Sequence, residues 1–178
     1  MLEITYNDGN IQTMLKRIMA AAGNTEPAMR AIGEVVTEIS KRSFDNSASP
    51  DGTPWAANSE ATILQYLEKI GGNYKKDGTL SKKGQTRAIN KRPLIGQSRD
   101  LQRQFSYVAT ADSVTISNSM VYAAMQQFGG TKQQFPHLWG NIPARPFMPV
   151  ATDGSMMQQA EAEIVQVMQD YLDDIISG

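Results

Sequence analysis

Phe105-Ser106-Tyr107-Val108-Ala109-Thr110 and Ser113-Val114-Thr115-Ile116-Ser117, separated by Ala111-Asp112, decide the fold class. Both runs are β-prone and alternate along the chain, and the two-residue gap suits a tight reversal, so residues 104–118 read as an antiparallel hairpin. The flanking sequence has a different period. Upstream, Ile11, Met14, Leu15, Ile18 and Met19 recur at helical spacing before Gly23-Asn24. A second helix opens at Thr25-Glu26-Pro27, where a capping hydroxyl, an early acid and an early proline coincide. Its apolar face runs Met29, Ile32, Val36, Ile39, and it ends near Phe44. Residues 45–54 are turn formers followed directly by Trp55, a loop pinned by an aromatic ring. Ser59 starts a helix over 59–70 carrying Ile63, Leu64, Leu67 and Ile70, which Gly71-Gly72 stops.

Downstream of the hairpin, residues 120–128 read as a short helix ended by Gly129-Gly130. Residues 131–150 hold Pro136, Pro143, Pro146 and Pro149, a density that excludes a helix and suits extended backbone. Asp153-Gly154-Ser155 then precedes a helix of about five turns with one apolar stripe, from Met157 to Ile175. The class is therefore α+β. A small antiparallel sheet, the hairpin plus an extended segment near 142–150, is flanked by N-terminal helices and a long C-terminal helix. The 178 residues fit a single domain, with a mobile basic loop or arm at about 71–92.

Chemistry is sparse. There are no cysteines and one histidine, His137, which excludes thiol nucleophiles, disulfides and multi-histidine metal sites. No phosphate-cradling glycine fingerprint, nucleophile elbow or calcium loop is present, and Asp51-Gly52 and Asp77-Gly78 read as plain turns. No catalytic, cofactor or metal site is expected, and no apolar run approaches the roughly 18 residues of a membrane span. The protein is expected to be soluble and made in the cytoplasm.

Charge is where the chain is unusual. Residues 69–103 carry ten basic side chains against Asp77 and Asp100, a net of +8, which leaves −9 on the remainder of a chain whose formal net charge is −1. Residues 151–178 hold six acids and no Lys or Arg. Three readings of the basic stretch stand side by side. It is a solvated loop; or Lys75, Lys76, Lys82, Lys83, Arg87, Lys91 and Arg92 meet an acidic face of a neighbouring subunit or another protein. Or residues 69–103 bind nucleic acid, with Tyr66 and Tyr74 stacking on bases. In Ile142-Pro143-Ala144-Arg145-Pro146-Phe147-Met148-Pro149, extended backbone puts Arg145 and Phe147 on one face. That face is either a binding surface or an edge strand beside the hairpin.

Four ordered signals resemble the phage virion morphogenesis (tail completion) family of Mu-like contractile-tailed phages. They are Phe44, Pro50-Asp51-Gly52 and Trp55 followed by Thr62; Arg92-Pro93-Leu94-Ile95-Gly96 before Leu101; Tyr122-Ala123 then Gln127-Phe128-Gly129-Gly130; and Ile142-Pro143-Ala144-Arg145-Pro146-Phe147 before a terminal helix. In two places the chain departs from the pattern: Gln126 stands where His usually precedes Gln, and Arg99 where Gly often follows Ser or Thr. The resemblance implies a structural protein that finishes the tail or joins it to the head at the neck. It implies a ring, commonly a hexamer, in the virion after assembly in the host cytoplasm. Partners would be further copies of itself and tail tube, tail terminator or head–tail connector proteins, with no membrane and nucleic acid not favoured.

Overall fold

The computed structural model describes residues 23–177 together with Arg17, Ile18 and Ala20. The helix expected over 10–22 otherwise lies outside the described residues. The fold is α+β, organised on one long helix, α1 (Glu26–Asn46), which buries Ile32, Val36, Ile39 and Phe44. Pro27 sits in its first turn, where a missing N–H costs nothing. Thr25 does not cap it; its hydroxyl donates to the Ala111 carbonyl at the tip of the hairpin. The helix runs two residues past Phe44 and stops where Ser47 turns left-handed, its N–H bonded to the Ser43 carbonyl.

The hairpin forms as its alternation predicts. Strands β1 (Phe105–Ala109) and β2 (Val114–Asn118) pair antiparallel, Phe105 opposite Asn118 and Ala109 opposite Val114. Thr110 N–H donates to Ser113 O at 2.8 Å across the turn. Both strands rest on α1, and the fit is closest at Gly33, where a Cβ would lie 2.5 Å from Tyr107 Cδ2. Ala is the better helix former by about 1 kcal/mol, yet Gly33→Ala is expected to destabilise by roughly 1–3 kcal/mol, since the ring of Tyr107 must move. That shift would also loosen the bond from Tyr107 Oη to Glu34 Oε1, 3.1 Å long. Urea denaturation of the variant checks this; unchanged or greater stability would refute it.

The last helix, α6 (Gln158–Ser177), packs antiparallel on α1. Arg42 near the end of α1 pairs with Glu163 near the start of α6 at 2.6 Å, and Tyr171 Oη donates to Asn24 O at 3.1 Å at the other end. Between them lie α2 (Glu60–Glu68), α3 (Lys82–Asn90), α4 (Asp100–Arg103) and α5 (Ala123–Phe128). The core is an aromatic cluster: Phe44 stands 5.3 Å from both Trp55 and Phe147, and Phe105 is 5.9 Å from Phe147. Leu101 and Ala123 complete it.

Two expectations are corrected. Among the described residues the sheet has two strands, and 142–150 does not join it. Its prolines lack the N–H groups a ladder needs, and its partners lie elsewhere. The stretch 71–92 also contains α3, capped by Ser81, whose hydroxyl accepts from Gly84 N–H at 3.1 Å. Low apolar content had pointed to a loop, but a serine cap and local bonds suffice to shape it.

One turn design recurs three times. Bridges Ala48–Pro54, Tyr74–Leu80 and Val150–Met156 each close on an Asp-Gly-Thr/Ser turn. Gly52, Gly78 and Gly154 take φ of 86°, 82° and 86°, and the following Thr53, Thr79 or Ser155 N–H donates to the Asp carboxylate at 2.9 Å. This is a type I turn with a glycine bulge, stabilised by an Asx bond. The Ser49 hydroxyl, and then Thr53, hold the Asp51 carboxyl below its ordinary 3.8. Asp51-Gly52 and Asp77-Gly78 are thus turns, as read, and Asp153-Gly154-Ser155 is a third.

Candidate functional site

The proline-rich segment closes the core. Arg145, Phe147 and Pro149 are buried while the residues between them are partly exposed, the period of extended backbone. Trp55 Nε1 donates to Pro146 O at 2.7 Å; Arg145 returns the contact, Nε to Ala56 O at 2.8 Å and Nη2 to Ala57 O at 2.9 Å. Burial disfavours the Arg145 charge and lowers its pKa, and the two carbonyls offset that loss. The missing strand partner is a side chain. Gln127, 4% exposed, accepts from Phe147 N–H and Met148 N–H at 2.9 Å each and donates to Met148 O and Val150 O at 3.0 Å each. Gly130 pairs with Ile142 through two backbone bonds, and Gly129, at φ 70°, brings its backbone so close that a Cβ would meet Ala144 N at 2.7 Å. The expected structural residues Phe44, Trp55, Gly129, Gly130 and Pro146 converge here; Pro143 and Tyr122 are exposed at its edge. Arg145 and Phe147, expected at a partner surface, face inward at 8% and 1% exposure and hold the core of their own chain together instead.

The basic residues separate into two groups. Helices α2 and α3 pack on each other as a lobe, closed by the buried Asn73, which donates to Leu67 O and Ile70 O and accepts from Arg87 Nη1 at 2.7 Å. Arg87 therefore works inside the lobe. Lys91 lies over the Tyr66 ring, 5.1 Å from its centroid, and its Nζ donates to Ile95 O; desolvation lowers its pKa. Arg92 donates to Asp45 O at 2.7 Å, fixing the lobe to the end of α1. These three cations, expected at an interface, are bound to carbonyls and an amide of their own chain. Lys75, Lys76, Lys82 and Lys83 are exposed. Lys82 and Lys83 open α3, whose first turn has no acid, against the sign its dipole favours.

A groove of about 820 Å³ runs between α2 and the 90–99 segment, lined by the cations Lys69, Lys91, Arg92 and Arg99 with Ile70 and Ile95, and by no acid. It continues into a second hollow of about 560 Å³ beside Leu94, Trp139, Ile142 and Pro143. His137 lies exposed in the neighbouring loop, edge-on to Phe135. Among the described residues no cluster of His, Cys, Asp or Glu is placed to hold a metal ion. No helix among them is long and apolar enough to cross a membrane. Sequence reasoning missed Asn73 and quoted Gln127 only within a family signal, without a role. The signal for Gln127 was a proline-rich segment that must be extended but cannot pair as a strand.

The family model for phage virion morphogenesis proteins matches residues 6–173, and the chain belongs to that family. No curated protein and no solved structure matches it. Membership gives a virion-associated bacteriophage protein with a structural role in virion assembly.

Proposed function

We propose that this protein completes the phage tail or joins it to the head at the neck, acting without catalysis and as a homo-oligomeric ring. The observation that carries the reading is the separation of charge on a nearly neutral family member. Ten cations lie in residues 69–103, six acids in 151–178, and the net charge is −1. Copies of such a chain suffer little net repulsion, while local attraction sets their orientation. Tail tube, tail terminator or connector proteins are the partners such a ring would join. Phage lacking the protein should yield filled heads and full-length tails that fail to join, and purified protein added to the lysate should restore plaque-forming particles. Normal joining in its absence would overturn the reading.

A further inference from the structure

Helix α6 carries more apolar surface than α1 covers. Val165, Leu172 and Ile176, seven and four residues apart and so on one helical face, are 49%, 43% and 42% exposed. Asp173 flanks this face and Asp174 lies on the far side of the same turn; both stand at the C-terminal end, where the helix dipole already concentrates negative charge, and the last turn holds no base. Neither has an ion-pair partner among the described residues.

The groove is the complement of this surface. It is basic where the helix end is acidic, and its floor offers Ile70 and Ile95 to an apolar side chain. Arg99 supplies an independent sign. Its backbone is left-handed, φ 55°, a conformation that disfavours any side chain relative to glycine, and the residue lines the groove. Within one subunit the two surfaces cannot meet. Arg92 ties the groove to Asp45 at one end of α1, while Tyr171 ties the acidic end of α6 to Asn24 at the other; the 21 residues of α1 span about 30 Å.

We infer that the groove between α2 and the 90–99 segment receives the acidic C-terminal end of α6 from a second copy of this chain. The inference rests on the self-assembly proposed above and specifies its contact, which is head-to-tail and so propagates into a ring where the rotation closes. Apolar contact by Leu172 and Ile176 supplies affinity and the charges supply register.

Charge reversal tests it, using exposed residues whose side chains make no hydrogen bond or ion pair among the described residues. Lys69→Glu with Arg99→Glu in one variant, and Asp173→Lys with Asp174→Lys in another, should each weaken association in sedimentation velocity by about tenfold or more, with unchanged circular dichroism. Mixing the two variants should restore assembly, since each brings one native and one reversed half and alternate subunits then match. Arg99→Gly should melt at a higher temperature yet associate more weakly, a combination that a merely structural arginine would not give. Oligomers indifferent to both reversals would overturn the contact and leave the ring standing. Wild-type protein monomeric at every concentration would remove both. Loss in each variant without recovery on mixing would show that the two surfaces do not meet. Loss of random-duplex binding in the groove variant, with assembly intact, would assign the groove to nucleic acid.

Discussion

Phe147→Ala is expected to lower the unfolding free energy by about 3–5 kcal/mol, a large part of what a domain of this size possesses. Phe147 is 1% exposed and touches Phe44 and Phe105 at ring distances of 5.3 and 5.9 Å, so truncation opens a cavity where three elements meet. Those elements are α1, β1 and the proline-rich segment, and none of them can collapse inward without breaking another contact. Urea titration gives the free energy directly. A loss under about 1 kcal/mol would mean that the segment is not anchored through this ring.

Gln127→Leu should cost about 3 kcal/mol or more, although it keeps the volume nearly constant and adds apolar surface. The amide satisfies two N–H groups and two carbonyls of residues 147–150. Leucine would leave those groups without the side-chain amide that now bonds them, and a buried unpaired polar group costs roughly 1–3 kcal/mol. Gln127→Glu should also destabilise, because a carboxylate can accept from Phe147 and Met148 but cannot donate to Met148 O and Val150 O. If hydrogen exchange at the Phe147 and Met148 amides were as slow in Gln127→Leu as in wild type, the side chain would not be their partner.

Helices and hairpin were legible because their signals are local. Ser59, Pro27 and the alternation of 105–117 act within a few residues, so α1, α2 and the hairpin appear where their residues place them. The lobe was harder. Residues 71–92 lack an apolar stripe, and what shapes them is Asn73, a small polar residue buried under Gly84, where a Cβ would lie 2.2 Å from its carbonyl. No periodicity reports such a contact. Arg145 and Phe147 were correctly read as sharing a face, but whether that face looks inward depends on Trp55 and Gln127, some 90 and 20 residues away along the chain. Among the basic residues, sequence counts charge but not its use; Arg87, Lys91 and Arg92 lie in the same run as the exposed lysines and differ only in the carbonyls they reach. Arg99 is the clearest lesson, since the glycine that the family resemblance leads one to expect there is what its left-handed backbone favours.

Electron microscopy of the purified full-length protein tests the central claim most directly. Closed rings of uniform diameter at low salt, losing that uniformity as salt screens the charges that set register, are the expected result. A monomer at all concentrations and ionic strengths would contradict the account, because the opposite charges on its two ends would then have no partner in another copy.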